Sequence, residues 1–208
     1  MVGSILVCVF TAYLLGNLNG AVCMSALVAK DDVRTHGSGN AGLTNFIRNY
    51  GLGSALYVVL IDAGKAVLAC LACGMILGRF GFYLEGAALG GLCVMLGHVF
   101  PAVLGFKGGK GILSGFSVTL VIDWRISLIL LAVFLLAYLL TQYVSLGSVL
   151  GALSFSLCFV IFYHDNLYVM IPGVVMGLLA VFMHRANIVR LLKGQEKKTH
   201  LFRANKNL

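Results

Sequence analysis

Residues 52–77 read LGSALYVVLIDAGKAVLACLACGMIL, an apolar run that carries two charged residues, Asp62 and Lys65. A transmembrane α-helix needs about 20 consecutive apolar residues, so this run is long enough to cross a bilayer. An ion inside a bilayer is costly unless it has a partner. Asp62 and Lys65 lie three residues apart, on one face of a helix. We therefore expect a structural ion pair, in preference to a proton relay.

Six further apolar runs accompany this one. They cover roughly residues 3–29, 82–97, 112–122, 126–140, 144–163 and 167–183. Hydrophobic residues make up 60% of the chain and charged residues 11%, with a mean hydropathy of +0.99, whereas soluble domains carry about 25% charged residues. The sequence therefore predicts an all-α polytopic integral membrane protein with about seven transmembrane helices. We expect residues 1–208 to form a single domain.

The basic residues indicate how these helices are oriented. If every run crosses and the N-terminus lies outside, most basic residues fall on one side, as the positive-inside rule requires of the cytoplasmic side. They are Lys30, Arg34, Arg48, Lys107, Lys110, Arg185, Arg190, Lys193, Lys197, Lys198, Arg203 and Lys206. We therefore predict an outside N-terminus and a cytoplasmic C-terminus. The short run 112–122 is counted as a crossing, because otherwise the basic tail would lie outside.

The net charge of +8 does not indicate nucleic-acid binding, because the charge is confined to short segments between apolar runs. Anionic headgroups or phosphorylated substrates are the expected partners. The six cysteines all lie within apolar runs, and Cys70 and Cys73 lack the second Cys or His pair that a zinc site needs. We therefore expect neither a metal site nor a disulfide framework.

The first polar segment, residues 36–48, reads HGSGNAGLTNFIR. Its glycines free the backbone to turn N–H groups toward a ligand. Neutral hydrogen-bonding side chains surround them, and Arg48 adds a planar cation suited to phosphate. The candidate anion-binding residues are Ser38, Gly39, Asn40, Gly42, Thr44, Asn45 and Arg48. A flexible turn with a basic residue at the membrane surface is an equally good interpretation of this segment alone.

The second polar segment, residues 97–111, reads GHVFPAVLGFKGGKG. Lys107 and Lys110 are interleaved with glycines just before an apolar run, which is typical of a phosphate cradle at a helix start. It is not a nucleotide-binding Walker motif, because Leu104 and Gly111 stand where Gly and Ser or Thr are required. We favour the cradle over a loop that only sets topology. Its candidate residues are His98, Lys107, Gly108, Gly109, Lys110 and Gly111.

The third polar segment, residues 184–196, reads HRANIVRLLKGQE. In a helix, His184, Asn187 and Arg190 share one face. Arg185 and Glu196 complete the charged groups considered for the site. A basic amphipathic tail that binds anionic lipid is an equally good interpretation of this segment alone.

The three segments together resemble the signature motifs of the bacterial acyl-phosphate-dependent glycerol-3-phosphate 1-acyltransferases. The first resembles Ser-Gly-Asn-Pro-Gly-Ala-Thr-Asn…Arg, the second Gly-His…Phe-Pro…Phe-Lys-Gly-Gly-Lys-Gly, and the third His-Arg-x-Asn-Ile…Gly…Glu. Asp62 and Lys65 are similar to an Asp-x-x-Lys in the family's second helix. The chain departs from the family pattern at Ala41, Leu43 and Ala66, where Pro, Ala and Gly are usual. These changes leave the hydrogen-bonding positions unaltered.

The resemblance implies a reaction in which a fatty acyl group moves from acyl phosphate to the first hydroxyl of glycerol 3-phosphate. The products are lysophosphatidic acid and phosphate, in the first step of bacterial phospholipid synthesis. The chain lacks the His-x-x-x-x-Asp base of other acyltransferases, and the resemblance implies that the substrate's own phosphate can accept the proton. No metal or other cofactor is implied. The expected location is the bacterial cytoplasmic membrane, with the motif segments 36–48, 97–111 and 184–196 facing the cytoplasm.

The resemblance also implies roles for individual residues. The catalytic group would be Ser38, Arg48, Lys107, His184 and Asn187. The substrate-binding group would be Gly39, Asn40, Gly42, Thr44, Asn45, His98, Gly108, Gly109, Lys110, Gly111 and Arg185. Structural support would come from Asp62, Lys65 and Glu196. The alternative function is a transporter of a phosphorylated metabolite or anionic lipid, but transporters often show related halves, and no internal repeat is visible.

Overall fold

The computed structural model describes residues 1–198, in which the regular elements are α-helices and two short 3-10 turns, Val33–Thr35 and Ala102–Leu104. The helices are α1 Val2–Gly16, α2 Gly20–Ala29, α3 Leu43–Tyr50, α4 Ala55–Gly78, α5 Tyr83–Val99, α6 Ile112–Ile122, α7 Trp124–Thr141, α8 Val144–Tyr163, α9 Leu167–Met183 and α10 Arg185–Leu192. The prediction of an all-α fold is therefore confirmed. Arg203 and Lys206, which entered the topology argument, lie outside the described residues.

Five helical stretches are long and apolar enough to cross a bilayer. They are Val2–Ala29, Ala55–Gly78, Tyr83–Leu104, Trp124–Thr141 and Val144–Tyr163. Helices α9 and α10 qualify together as a sixth, bent by 54° where they meet. Helix α6 has 11 residues, a length of about 16 Å, against a hydrocarbon core of about 30 Å. Residues 1–198 thus contain five or six helical stretches that could cross a bilayer, while the count of seven stays a prediction.

Helix α5 lies at the centre of the bundle. It packs against α1, α4, α6 and α9, while α8 packs against α7 and α9 on the other side. Small residues permit the closest of these contacts, as is common where helices pack in lipid. A Cβ added to Gly97 would lie 2.2 Å from Tyr13 O on α1, and one added to Gly90 would lie 2.6 Å from Ala69 O on α4. The close packing fixes the C-terminal end of α5, which carries part of the second motif.

The first apolar run is broken into two helices, although the sequence predicts one continuous span. Helix α1 ends at Gly16 and α2 begins at Gly20. Asn19 caps α2, because its Oδ1 accepts a hydrogen bond from the Val22 N–H at 3.0 Å. Asn17 Oδ1 accepts a hydrogen bond from the Val103 N–H at 3.2 Å. The local bond made by Asn19 competes with a continuous helix, which explains the break, while the Asn17 bond attaches the break to the second motif.

The charged pair of α4 fills this break. Lys65 Nζ lies 2.8 Å from Asp62 Oδ1, and each residue is 2% exposed. The Lys65 ammonium also donates to Gly16 O, at 3.2 Å, and to Leu18 O. The Gly20 N–H donates to Asp62 Oδ1 at 3.1 Å. Backbone groups that the broken helix leaves without helical partners are therefore satisfied by the ion pair.

The contact between α1 and α5 gives a stability prediction. Gly97→Ala places a methyl group against Tyr13 O, so it should destabilise the protein by about 1–3 kcal/mol and lower its thermal unfolding temperature in detergent. Gly64→Ala is the matched control, because a Cβ at Gly64 has no atom within 4 Å. This control should be neutral or slightly stabilising, since Ala is the better helix former. Equal unfolding temperatures for the two variants would contradict the close packing of α1 and α5.

Candidate active site

The three polar segments converge on one cavity of about 340 Å³. Its polar end brings together residues from all three motifs and from α4, although these segments are far apart in the sequence. Those residues are Ser38, Asn40, Gly42, Thr44, Asn45, Arg48, Asp62, His98, Lys110, Gly111, His184, Asn187, Arg190 and Glu196. Six residues singled out from the sequence do not line the cavity, namely Gly39, Lys65, Lys107, Gly108, Gly109 and Arg185.

The rest of the cavity is an apolar arm. It runs among α6, α7, α8 and α9 and is lined by Phe116, Leu130, Leu131, Phe134, Ala152, Phe155, Met176 and neighbouring residues. A cavity with a cationic, hydrogen-bonding end and an apolar arm is suited to an amphiphile with an anionic head, because each part of the ligand meets surroundings of matching polarity.

Asn45 shapes the first motif from inside the loop. Its Nδ2 donates to Val33 O and His36 O, each at 3.0 Å, while its Oδ1 accepts the Ser38 N–H at 3.0 Å. Asn45 is 3% exposed, so the loop itself uses most of its hydrogen-bonding capacity. Gly37 has φ +59°, a left-handed conformation that disfavours other residues there. Asn45 thus holds Ser38 at the cavity wall.

Helix α3 carries the cation of the first motif. Phe46 is fully buried beneath the helix, while Thr44 and Arg48, four residues apart, both line the cavity. The helix begins after Gly42, immediately beyond the glycine loop. Burial of one face against α2 and α4 therefore directs the polar face toward the ligand space.

The second motif folds back on the end of α5. The Gly109 N–H donates to His98 O at 3.1 Å, and the Gly108 N–H donates to Val99 O at 3.2 Å. A Cβ on Gly109 would lie 2.2 Å from His98 Nε2, and one on Gly108 would lie 2.0 Å from His98 O. The two glycines are thus required for packing against His98. Both N–H groups are engaged with α5 in this structure, so the binding of a phosphate by Gly108 and Gly109 stays a prediction.

The two lysines of this loop are placed differently. Lys107 is exposed, whereas Lys110 lines the cavity and donates to Asn187 Oδ1. Burial, together with the positive charges of Arg190 and Arg48, lowers the pKa of Lys110 to about 8. A phosphate bound nearby would favour the charged ammonium, because opposite charges stabilise each other in partly desolvated surroundings.

Glu196 organises the third motif. Its carboxylate accepts hydrogen bonds from Asn187 Nδ2 at 2.8 Å and from Arg190 Nε at 2.6 Å. Burial alone would raise the pKa of Glu196, but these two hydrogen bonds hold it below its usual range. Asn187 therefore has a fixed amide orientation, with its nitrogen on Glu196 and its oxygen on Lys110. Arg185 points elsewhere, with its guanidinium carbon 4.5 Å from the centre of the Phe182 ring.

His184, at the bend between α9 and α10, presents an unprotonated nitrogen. Its Nδ1 lies 2.8 Å from Ala180 O. A carbonyl oxygen can only accept, so Nδ1 carries the hydrogen and Nε2 of the neutral ring has the lone pair. His184 is 3% exposed and lines the cavity. Its Nε2 can therefore accept a hydrogen bond from a substrate hydroxyl.

Two contacts that hold the motif loops together were not foreseen from the sequence. Asn19 Nδ2 donates to Ala41 O at 3.0 Å, which attaches the first motif to the helix break. Arg34 pairs with Asp32 at 2.7 Å and donates to Leu104 O at 2.9 Å, which joins the segment just before the first motif to the second motif. Two features of the sequence could have indicated these contacts. Asn17 and Asn19 are polar residues within an apolar run, and Asp32 lies two residues before Arg34.

Within residues 1–198, no cluster of His, Cys, Asp and Glu has the arrangement of a metal site. The cavity instead concentrates cations and neutral hydrogen-bonding groups, which suit phosphate.

Comparison with known proteins agrees with this geometry. The family model described as glycerol-3-phosphate acyltransferase matches residues 6–194. The glycerol-3-phosphate acyltransferase of Finegoldia magna is 42% identical over 187 residues, covering 89% of this chain and 91% of the relative. That of Clostridioides difficile is 39% identical over 205 residues, covering 94% and 95%.

Solved structures give the same result. The crystal structure of PlsY, an integral membrane glycerol 3-phosphate acyltransferase, in its glycerol 3-phosphate form has a TM-score of 0.83 at 31% identity, covering 96% of this chain and all of that one. The lysophosphatidic acid form has a TM-score of 0.80, covering 95% and 96%. The family resemblance inferred from the three motifs is thereby confirmed. This chain belongs to the glycerol-3-phosphate acyltransferase family.

Proposed function

We propose that this protein transfers a fatty acyl group from acyl phosphate to the 1-hydroxyl of glycerol 3-phosphate. The products are lysophosphatidic acid and phosphate, in the first step of bacterial phospholipid synthesis. The observation that carries the proposal is the cavity, whose cationic end adjoins an apolar arm. The glycerol 3-phosphate and lysophosphatidic acid forms of the PlsY structure support it, since they correspond to the acceptor and the product.

The reaction needs charge neutralisation more than activation. Acyl phosphate is a mixed anhydride and already reactive, so the protein mainly positions the substrates and stabilises charge. The glycerol oxygen bonds to the acyl carbon, the bond from that carbon to the phosphate oxygen breaks, and the hydroxyl proton passes to the departing phosphate. Two phosphates in one cavity repel each other. Arg48, Lys110 and Arg190 supply the positive charge that offsets this repulsion.

The roles of individual residues follow from the family motifs and their positions. Ser38, Thr44 and the lysine loop Gly108–Gly111 would hold the acyl phosphate, with Gly39, Asn40, Gly42 and Asn45 shaping its binding loop. Arg48, Lys107, His184 and Asn187 would bind glycerol 3-phosphate, with His184 Nε2 accepting from a glycerol hydroxyl. Lys107 would need to turn inward from its exposed position to do so. Glu196 supports Asn187 and Arg190.

We infer an orientation for the chain that fits this role. All seven apolar segments cross, with α6 as a short crossing, the N-terminus outside and the C-terminus in the cytoplasm. The whole chain, 1–208, then forms one catalytic domain in the bacterial cytoplasmic membrane. The clustering of Arg48, Lys110 and Arg190 at one end of the bundle supports a cytoplasmic active site, by the positive-inside rule.

The direct test uses purified protein in detergent or proteoliposomes. Glycerol 3-phosphate with palmitoyl phosphate should give lysophosphatidic acid and an equal amount of phosphate, while palmitoyl-CoA should not replace the donor. Failure to turn over any acyl phosphate would overturn the proposal. Uptake of a phosphorylated solute into proteoliposomes without chemical conversion would favour the transporter instead.

Arg48→Ala should reduce kcat/KM by about 100-fold or more, because it removes a cation from the cavity at which phosphate charge must be balanced. Insertion into the membrane should be unaffected, as judged by yield and thermal unfolding. The matched control is Lys193→Ala, which removes an exposed cation of the same helical region as the third motif and should leave kcat/KM unchanged. Full activity of Arg48→Ala would exclude Arg48 from the site.

Affinity for acyl phosphate should depend on pH through Lys110. Its ammonium is charged below a pKa of about 8 and neutral above it, so the donor KM should be lowest below that pH and rise as pH increases through it. The rise should approach about tenfold per pH unit. Lys110→Arg should give a flat profile, because a guanidinium stays charged. A profile unchanged by this substitution would show that another group titrates.

A further inference from the structure

His98 lies at the C-terminal end of α5, where it is 4% exposed and lines the cavity. Its Nδ1 is 2.9 Å from Lys65 Nζ and 3.5 Å from Asp62 Oδ1. A lysine ammonium has hydrogens to donate and no lone pair to accept with. Lys65 Nζ has four acceptors within 3.2 Å and three hydrogens, and Gly16 O, at 3.2 Å, is the most distant of the four. The three hydrogens therefore go to Leu18 O, Asp62 Oδ1 and His98 Nδ1, with Gly16 O sharing one of them. This leaves the hydrogen of the neutral His98 ring on Nε2.

This arrangement is the reverse of a catalytic His–Asp base. In such a base, the carboxylate accepts a hydrogen from Nδ1 and leaves Nε2 free to take a proton. Here the three polar atoms form a triangle, in which His98 Nδ1 is closer to Lys65 Nζ, at 2.9 Å, than to Asp62 Oδ1, at 3.5 Å. The ring of His98 therefore cannot take a proton at Nε2 while it is neutral, but it can donate a hydrogen bond from that atom.

The position of this donor is also informative. Nε2 lies beside Gly109, whose added Cβ would be 2.2 Å from it, and the side-chain contacts of His98 with Lys65 and Asp62 are both made by Nδ1. Met95 lies one helical turn before His98, and an added Cβ on Gly115 would contact both Met95 and Phe155, at 3.8 and 3.6 Å. His98 therefore stands beside the junction where the apolar arm meets the polar end of the cavity.

A fatty acyl phosphate placed with its tail in the apolar arm and its phosphate among Arg48, Lys110 and Arg190 has its carbonyl group at that junction. We propose that His98 donates a hydrogen bond from Nε2–H to this carbonyl oxygen. The inference rests on the proposed function. The hydrogen bond strengthens as the glycerol oxygen bonds to the acyl carbon and the carbonyl electron pair moves onto oxygen, because the acceptor becomes an anion. When the carbonyl re-forms, phosphate leaves with the hydroxyl proton, and His98 keeps its own proton throughout.

The test compares two amides. The nitrogen of Gln can occupy the position of His98 Nε2, whereas the nitrogen of Asn reaches only the position of Nδ1. His98→Gln should therefore keep kcat within about tenfold of the wild type, while His98→Asn should lower kcat by about 100- to 1,000-fold. The KM for glycerol 3-phosphate should stay within about threefold in both variants, since that substrate does not use this donor.

A second readout is the tautomer itself. The ¹⁵N spectrum of histidine-labelled protein at neutral pH, assigned by difference from His98→Gln, should show hydrogen on Nε2 and none on Nδ1. Hydrogen on Nδ1 would overturn the inference, and so would equal loss or equal retention of kcat in folded Gln and Asn variants. If His98→Asn does not fold, a folded but inactive Gln variant would still overturn it. These outcomes test the role of His98 only if the wild-type protein is active. A wild-type protein that is inactive with acyl phosphate would overturn the proposed function instead.

Discussion

The buried ion pair between Asp62 and Lys65 is the interaction on which the rest of the structure depends. Two unpaired ions at this depth would each cost several kcal/mol. They are tolerated because Gly16 O, Leu18 O and the Gly20 N–H complete their hydrogen bonds. The broken first helix and the charged second helix thus stabilise each other, since either one alone would leave polar groups unsatisfied in the membrane.

The same ion pair is linked, through His98, to the residues that line the cavity. Lys65 reaches His98, and His98 packs against the glycine loop that leads to Lys110. From there Lys110, Asn187 and Glu196 continue a line of hydrogen bonds to α10. These hydrogen bonds fix the side chains of Lys65, Lys110 and Asn187 and the ring of His98, so the groups that remain available at the cavity, such as His98 Nε2, have defined orientations. Pre-oriented dipoles of this kind stabilise developing charge without rearranging during the reaction.

Much of this architecture is predictable from residue patterns. The apolar runs predict the helices α4 to α9 closely, and the order of the three motifs identifies the family. The break after Gly16 escapes prediction because, beyond the local cap that Asn19 gives to α2, it depends on contacts distant in the sequence, from Asn17 to the Val103 N–H and from Asn19 to Ala41 O. The different positions of Lys107 and Lys110 depend on how the loop folds against α5, which alternating Lys and Gly cannot specify. The need for glycine at position 109 is likewise not predictable from the sequence, because it depends on where the His98 ring packs.

The helix break has a consequence for biogenesis. When the first apolar run enters the membrane, Gly16 O and Leu18 O have no helical partners, and Lys65 is still to be synthesised. Unpaired carbonyls in hydrocarbon are costly, so the first run can reach its final shape only after the second has inserted beside it. The early steps of membrane insertion are therefore coupled: the second span carries the ion pair that completes the first, and the two are best regarded as one unit of assembly.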